Sequence, residues 1–338
     1  MIAKPLGFAG SSHLSAKKRH GWSKALQLAP DLYPGVGGKR FRATLLQRAF
    51  EFAGGQGASP ESVVEAVEML HAGSLVLDDF EDDSAMRRRQ PALHRVIGSA
   101  RAVNAGNWMY FRALELAGSA YADSTRTAGM LTKFVEVARQ CHEGQAIDLS
   151  THVDEVTPLQ ARATALAISR WKTGRLVSLA AWCGAHAAEG DAAALSAAAA
   201  FGCRIGICLQ MKNDLDELAA FVDGAERCDD LRNRRVTWPW AWAAEGLSDA
   251  SFYRLQQSVR QATAAGSAMR RVAAELLEAG QERGAAAIDT RLDRAAARLA
   301  VACSSSPAAL ALAEVADSLR STSLSGSLKA RAGAGAAL

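Results

Sequence analysis

An apolar stretch, residues 69–77, runs directly into six residues of which five are acidic, Asp78-Asp79-Phe80-Glu81-Asp82-Asp83. On a helix, Asp78 and Asp82 share one face, and like charges at that spacing destabilise each other. Acidic side chains at the end of a helix also oppose its macrodipole. The cluster therefore requires a compensating charge, and Mg²⁺, which binds carboxylate oxygens together with substrate phosphates, would supply one.

A second apolar helical stretch closes in the same way, at Gln210-Met211-Lys212-Asn213-Asp214-Leu215-Asp216-Glu217. Amide and carboxylate oxygens within one helical turn suit a hard cation. Two helices that end in such clusters can face each other across a cavity and hold metal ions between them. The sequence thus predicts the metal ligands Asp78, Asp79, Asp82, Asn213, Asp214 and Glu217.

Long helices dominate the predicted secondary structure. The composition is 49% hydrophobic, Ala and Leu favour helix, and only 8 prolines interrupt the chain. We predict an interruption at Lys172-Thr173-Gly174, a polar connection over residues 223–236, and separate helices over residues 267–281 and 283–303. The sequence therefore favours an all-α protein.

The chain divides into an irregular N-terminal arm, residues 1–20, one all-α domain, residues 21–320, and a flexible tail, residues 321–338. A formal net charge of +4 is small for this length and argues against nucleic-acid binding. The 6 cysteines are scattered, which indicates buried thiols in a reducing compartment. Residues 165–188 and 192–207 are apolar but broken by charged residues or glycine, so we interpret them as buried helices rather than transmembrane segments. We expect a cytoplasmic protein.

The two acidic clusters and the blocks around them resemble the trans-isoprenyl diphosphate synthases, and among these the geranylgeranyl diphosphate synthases. Eight blocks follow the order of that family between Gly37 and Pro239. They are Gly37-Gly38-Lys39-Arg40-Phe41-Arg42, Glu68-Met69-Leu70-His71, Asp78-Asp79-x-x-Asp82, Arg87-Arg88-x-x-Pro91-x-x-His94, Gly144-Gln145-x-x-Asp148-Leu149, Lys172-Thr173-Gly174, Gln210-x-x-Asn213-Asp214-x-x-Glu217 and Asp230-Leu231-Arg232-x-x-Arg235-x-Thr237-x-Pro239. One acidic block alone is weak evidence, whereas eight ordered blocks identify a family.

The resemblance implies a single-domain bundle of about ten core helices around a deep cavity, assembled as a homodimer. It implies that an allylic diphosphate condenses with isopentenyl diphosphate to give a longer trans-polyprenyl diphosphate. Two Mg²⁺ ions would bind at the first acidic cluster and a third at the second. The implied catalytic residues are Asp78, Asp79, Asp82, Lys172 and Asp214.

Basic and polar residues form the implied diphosphate-binding set, because Arg and Lys bind phosphate strongly. The places that hold isopentenyl diphosphate match Lys39, Arg42, His71 and Arg88. The places that hold the allylic diphosphate match Arg87, Lys172, Thr173, Gln210 and Arg235, the last of which stands where the family usually has Lys. The structural alternatives are a solvated basic loop, a core histidine at His71 and a kinked core helix at Lys172.

Gly73 and Ser74 lie five and four residues before Asp78, where a growing prenyl chain would pass. Small side chains there indicate a deep channel and a product of C20 or longer, whereas ordinary helix packing is an equal alternative.

Three departures from the family pattern leave other functions open. Asn213 and Glu217 stand where Asp is usual, Asn107 where Asp is frequent, and Leu77 where His is frequent. A terpene cyclase, or a transferase to another acceptor, is the first alternative, and a weakly active regulatory subunit is the second. The intact isopentenyl diphosphate set argues against a cyclase, and the three aspartates of the first cluster argue against an inactive subunit.

Overall fold

The computed structural model describes residues 41–87, 90–262, 266–302 and 307–320, and within these ranges the chain is almost entirely helical. The predicted arm, residues 1–20, and the tail, residues 321–338, lie outside the described residues. The helices are α1 (Phe41–Phe52), α2 (Glu61–Glu81), α3 (Leu93–Ile97), α4 (Ser99–Gly118), α5 (Ser124–Ser150), α6 (Pro158–Ile168), α7 (Arg175–Ala187), α8 (Ala192–Val222), α9 (Asp229–Arg232), α10 (Trp238–Gly246), α11 (Asp249–Gln261), α12 (Ser267–Ala302) and α13 (Pro307–Arg320). Two antiparallel strands of two residues each, β1 (Met86–Arg87) and β2 (Gln90–Pro91), follow α2. The all-α prediction is confirmed.

Short polar side chains begin several of these helices. Asp123, Asp191 and Ser248 each accept a hydrogen bond from the backbone N–H three residues further on, at the starts of α5, α8 and α11. Thr157 and Gln160 form a reciprocal capping box before α6, with Pro158 at the first helical position. These caps satisfy N–H groups that have no partner within the helix.

The described residues group into two compact units. The small unit comprises residues 68–87 and 90–115, and its core is formed by α2, α3 and α4. Its buried apolar residues are Ala72, Val76, Leu93, Ala102, Ala105 and Met109. The prediction of one domain over residues 21–320, and of a cavity within it, stays a prediction.

The large unit comprises residues 41–67 and the described part of 116–320. In it α8 packs against α7 and α12, and α7 packs against α1. The last contact requires glycine, because a Cβ at Gly184 would lie 2.1 Å from the carbonyl oxygen of Leu46. The small residues of α7 thus allow two helices to approach closely.

The structure corrects two boundaries in the large unit. One continuous helix, α12, replaces the two helices predicted over residues 267–281 and 283–303. Gly280 and Gly284 do not break it; a Cβ at these positions would lie 3.3 Å and 2.6 Å from atoms of Trp242, so the glycines make room for that ring. The predicted polar connection over residues 223–236 contains the short helix α9.

Among the described residues, α8 is long and apolar enough to cross a membrane by length and composition alone. Buried helices of water-soluble proteins satisfy the same criterion. In this chain α8 also carries the buried Asp214.

Candidate active site

The first acidic cluster lies at the C-terminal end of α2. Asp79 is fully buried, and the side chain of Asp78 is 21% exposed. Asp82 is half-buried and follows Asp78 by one helical turn. The backbone N–H of Asp82 donates to the carbonyl oxygen of Asp78 at 2.9 Å, so Asp78 and Asp82 share one face, as their spacing predicts.

Arg87 supplies positive charge to this cluster. Its Nε donates a hydrogen bond of 2.8 Å to Oδ1 of Asp79, its Nη2 contacts the same oxygen, and Nη2 lies 3.7 Å from Oδ2 of Asp78. The turn that follows α2, residues 82–85, leads into β1, which carries Arg87. A residue predicted to bind diphosphate is thus a direct partner of the acids.

The donor chemistry of the first cluster fits Mg²⁺. Its side chains offer only carboxylate oxygens, which hard cations prefer. In the described parts of the chain, no three His, Cys, Asp or Glu side chains form a preassembled metal site. Ligation at Asp78 and Asp82 would therefore be completed by water or by phosphate oxygens, which is usual for Mg²⁺.

A π-helical turn, Ser169–Gly174, joins α6 to α7 in the large unit, at the place where the sequence predicts an interruption. Neighbouring glycines allow it to be packed closely. A Cβ at Gly144 would lie 2.6 Å from the backbone nitrogen of Lys172, and a Cβ at Gly206 would lie 3.1 Å from the carbonyl oxygen of Thr173. Such turns are frequent at functional sites, and this one presents Lys172 and Thr173 next to each other.

Hydrogen bonds connect the predicted allylic-diphosphate residues of the large unit. The hydroxyl of Thr173 donates to Oε1 of Gln210 at 2.5 Å, and Nε2 of Gln210 donates to Oδ1 of Asp214 at 2.7 Å. The other carboxylate oxygen of Asp214 accepts a 3.0 Å bond from the backbone N–H of Trp238. The π-helical turn, α8 and the start of α10 are thus joined in one hydrogen-bonded group.

Asp148 links the two predicted cations of this unit. Its Oδ2 lies 2.9 Å from Nζ of Lys172, and its carbonyl oxygen accepts a 2.7 Å bond from Nη1 of Arg235. Arg235 is almost completely buried. Both positive groups are therefore held in place by one residue of α5.

Several acids share this part of the large unit, and their pKa values reflect it. Burial raises the pKa of Asp214 to about 7, although the N–H of Trp238 and the amide of Gln210 lower it. Burial also raises the pKa of Asp230 well above its usual range, and the charge of Glu217 adds to this effect. Burial likewise raises the pKa of Glu217. A cation would relieve the repulsion among these carboxylates.

The second predicted metal cluster is less uniform than the first. Asp214 is buried within the network, whereas Asn213 is exposed. Oε1 of Glu217 accepts hydrogen bonds from the backbone nitrogens of Asp229 at 2.9 Å and Asp230 at 3.4 Å. The oxygen chemistry of all three side chains suits a hard cation. Both carboxylate oxygens of Asp214 and Oε1 of Glu217, however, already accept hydrogen bonds from within the chain.

The remaining predicted residues are distributed as follows. Lys39 and Arg88 lie outside the described residues. Arg42 is half-buried in the first turn of α1, and His71 is half-buried on α2, two turns before Asp78. Their roles stay predictions.

Gly73 packs against α4 within the small unit. A Cβ there would lie 3.0 Å from the carbonyl oxygen of Gly106 and 3.1 Å from Cβ of Met109. Ser74 is half-buried, and its hydroxyl donates to the carbonyl oxygen of His71 at 2.7 Å. Helix packing thus accounts for the glycine, whereas Ser74 remains a candidate for the chain-length position.

Asp148 and the backbone N–H of Trp238 are not among the site groups predicted from the sequence. Asp148 stands in one of the eight blocks, but its partner Lys172 follows 24 residues later on another helix, and spacing alone does not pair them. A main-chain donor such as that of Trp238 leaves no mark in the sequence at all.

Comparison with known proteins gives one family. A family model described as Polyprenyl synthetase matches residues 24–276. A geranylgeranyl pyrophosphate synthase of Eremothecium gossypii is 41% identical over 116 residues, which are 33% of this chain and 36% of that protein. A geranylgeranyl diphosphate synthase of Methanosarcina mazei is 28% identical over 260 residues, which cover 73% of this chain and 79% of that one.

A solved structure has the same fold. The geranylgeranyl pyrophosphate synthase from Lactobacillus brevis aligns over 92% of both chains, with a TM-score of 0.73 and 19% identity. The alignments to three curated relatives span between 36% and 66% of the length of those proteins.

Proposed function

Because the chain belongs to the polyprenyl synthetase family, we propose that it is a trans-prenyltransferase, condensing an allylic diphosphate with isopentenyl diphosphate to give a longer trans-polyprenyl diphosphate. A C20 product is favoured by the resemblance to geranylgeranyl diphosphate synthases. The observation that carries the proposal is a pair of hydrogen-bonded groups, one of Thr173, Gln210 and Asp214, and one in which Asp148 holds Lys172 and Arg235. Lys172, Thr173, Gln210 and Arg235 match places that the family resemblance assigns to the allylic substrate, and Asp214 matches a place that it assigns to a metal ion.

In this proposal the large unit binds the allylic diphosphate. Lys172 offers an ammonium and Thr173 a hydroxyl from the same turn of π-helix, so that one phosphate can meet both. Arg235 adds a buried positive charge, which is stronger in a poorly hydrated site than on the surface. The polar network limits the motion of these groups before substrate arrives.

Asp78, Asp79 and Asp82 would hold Mg²⁺ together with the diphosphate, and Asp214 with Asn213 would hold a further ion. When bound, Mg²⁺ neutralises the negative charge that develops on a departing diphosphate. Arg87, whose guanidinium contacts Asp79, would bind the diphosphate beside these carboxylates. The number of ions, three by resemblance, is part of the proposal.

The chain's own groups then act on charge and position. As the allylic carbon–oxygen bond breaks, Lys172 and Arg235 stabilise the leaving diphosphate electrostatically. Lys39, Arg42, His71 and Arg88 would bind isopentenyl diphosphate so that its double bond attacks the allylic cation. A proton is then lost, and the departing diphosphate is the proposed acceptor. Holding the two substrates together removes much of the entropic barrier.

A second candidate function rests on the second acidic cluster. Asn213 is neutral and exposed, and Glu217 binds backbone N–H groups. A site with a weak third ion favours a family member that ionises an allylic diphosphate towards another acceptor, such as a terpene cyclase. A weakly active regulatory subunit is the remaining alternative.

Incubation of the purified protein with Mg²⁺ and an allylic diphosphate, with and without isopentenyl diphosphate, separates these functions. We expect an elongated diphosphate only when both substrates are present. A hydrocarbon or alcohol formed from the allylic substrate alone would support the cyclase instead. Absence of turnover in both reactions, from a protein that is folded by circular dichroism, would support the regulatory subunit.

We also propose that the protein is a cytoplasmic homodimer without nucleic-acid or membrane-spanning function. Its scattered cysteines and small net charge support this, together with the family resemblance. Light scattering of the purified chain tests the dimer, and a monomeric mass would contradict it.

A further inference from the structure

The segment that carries Arg235 is attached to α8 at two points. We call residues 228–238 the Arg235 segment. Near its start, Oε1 of Glu217 accepts the backbone N–H groups of Asp229 and Asp230 at 2.9 Å and 3.4 Å. At its end, Oδ2 of Asp214 accepts the backbone N–H of Trp238 at 3.0 Å. Two acids one helical turn apart therefore fix the two ends of one segment.

Glu217 acts as the missing cap of α9. The first N–H groups of any helix need acceptors from outside it. Cys228, at the N-cap position of α9, makes no side-chain capping bond. Glu217 supplies the acceptor from α8 instead, and its carboxylate is one methylene longer than that of an aspartate at the same place.

The turn that Glu217 holds also sets the position of Arg235. The backbone nitrogen of Arg235 donates to the carbonyl oxygen of Asp230 at 2.8 Å. The guanidinium of Arg235 then reaches the carbonyl oxygen of Asp148 at 2.7 Å. A shift of Asp230 would therefore be transmitted to Arg235 through a single turn of chain.

We propose that Glu217 is a positioning residue that fixes the Arg235 segment, and that it is not a ligand of a third metal ion. The catalytic consequence of this role rests on the proposed function, because it assumes that Arg235 binds the allylic diphosphate. The structural consequence does not, since it concerns only the contact between Glu217 and α9. The replacement of the usual Asp by Glu in this chain is explained by the reach that the contact needs.

The two possible roles of Glu217, positioning residue and metal ligand, predict opposite effects for two conservative variants. Glu217→Gln keeps the length and one acceptor oxygen but removes the charge that a metal ion requires. Glu217→Asp keeps the charge and restores the family's usual residue, but it shortens the side chain. A positioning residue tolerates Gln better than Asp, whereas a metal ligand tolerates Asp better than Gln.

Amide hydrogen exchange, measured without metal or substrate, tests the structural part. We expect the amides of Asp229 and Asp230 to exchange about 10-fold faster in Glu217→Asp than in the unmodified chain. In Glu217→Gln we expect a change of less than about 3-fold. Asp216→Asn is the matched control. The carboxylate of Asp216 is exposed on α8 and pairs with Lys212 at 2.6 Å, so its replacement should leave exchange in the Arg235 segment unchanged.

Steady-state kinetics test the catalytic part. We expect Glu217→Asp to raise KM for the allylic diphosphate about 10-fold, while the Mg²⁺ concentration for half-maximal activity changes less than about 2-fold. A higher Mg²⁺ requirement in Glu217→Gln, with Glu217→Asp fully active and normally protected, would overturn the proposal. If no variant elongates a substrate, the proposed function fails, but hydrogen exchange still decides whether Glu217 holds the segment.

Discussion

The ammonium nitrogen of Lys172 lies 2.9 Å from Oδ2 of Asp148. Lys172 belongs to the π-helical turn, and Asp148 belongs to the adjacent helix α5. Both side chains are largely buried, at 25% and 11% exposure, so solvent screens their attraction only in part. The same aspartate receives the guanidinium of Arg235 on its carbonyl oxygen. One residue therefore orients both cations that we assign to the allylic diphosphate.

Replacement of Asp148 by Asn should disturb the position of Lys172 without removing either cation. A small misplacement of a binding group can cost two orders of magnitude in rate, so we expect kcat/KM for the allylic diphosphate to fall about 10- to 100-fold. KM for isopentenyl diphosphate should stay within about 3-fold, because its proposed ligands are other residues. Steady-state kinetics with each substrate varied in turn measure both constants.

Glu143→Gln is the control for this variant, because Glu143 lies on the same helix and its exposed carboxylate pairs with Arg139. In Asp148→Asn, a rise in KM for isopentenyl diphosphate as large as the rise in KM for the allylic diphosphate would contradict a role confined to the allylic substrate.

Asp78→Ala should remove activity and leave the protein folded. Asp78 offers a half-buried carboxylate to the proposed metal site, and we expect kcat to fall by at least about 100-fold. Its ion pair with Arg87 is long at 3.7 Å, so we expect the free energy of unfolding to change by less than about 1 kcal/mol. Prenyl transfer and urea unfolding measure the two effects.

Glu81→Gln, at the exposed end of α2, is the matched control and should keep its activity. An active, folded Asp78→Ala protein would remove the assignment of the first acidic cluster.

The helical fold and the first acidic cluster could be predicted from the sequence because both depend on local periodicity. Asp78 and Asp82 share a face by virtue of their spacing alone. Lys172-Thr173-Gly174 predicts the position of the helix interruption, but it does not predict the π-helical hydrogen bonding of residues 169–174. Here the local sequence carries the relevant information.

Contacts across long separations could not be predicted in this way. Spacing predicts that Glu217 and Asp214 act alike, but Glu217 binds the start of α9, which lies within the predicted polar connection over residues 223–236. Similarly, helical periodicity predicts separate helices over residues 267–281 and 283–303, whereas α12 is continuous, and its Gly280 and Gly284 make room for the ring of Trp242 on another helix. Packing partners decided both cases, and a single sequence does not name them.

Bulky substitutions at the two predicted chain-length positions should have different effects. In Gly73→Phe the new side chain would collide with α4, where even a Cβ lies 3.0 Å from the carbonyl oxygen of Gly106. We expect the free energy of unfolding to fall by about 1–3 kcal/mol or more. In Ser74→Phe the free energy of unfolding should change by less than about 1 kcal/mol, because Ser74 is half-buried and its hydrogen bond is local. The same substitution should shorten the main product.

Chromatography of the dephosphorylated products, together with thermal unfolding, measures these effects. A stable Gly73→Phe protein that makes a shorter product would instead assign the channel wall to Gly73.

Stability below neutral pH should depend on His186, a half-buried residue of α7. Its ring stacks on Trp182 with a centroid distance of 4.5 Å, and Nδ1 lies 3.4 Å from the hydroxyl of Tyr121. Burial lowers the pKa of His186, and the charge of Arg126 lowers it further. Because the unfolded chain takes up a proton at about pH 6.5 and the folded chain does so only at lower pH, protonation favours unfolding.

The contribution of His186 should therefore be complete above about pH 6.5 and should be lost as the pH falls below it, by at most about 1.4 kcal/mol per pH unit. In His186→Phe, which keeps an aromatic ring against Trp182, the free energy of unfolding should fall less between pH 7 and pH 5 than in the unmodified chain. Urea unfolding at several pH values gives this difference, and acids common to both proteins cancel in it. His142→Gln, at an exposed position of α5, should retain the full pH dependence. If the free energy of unfolding depends on pH equally in His186→Phe and in the unmodified chain, burial does not lower the pKa of His186.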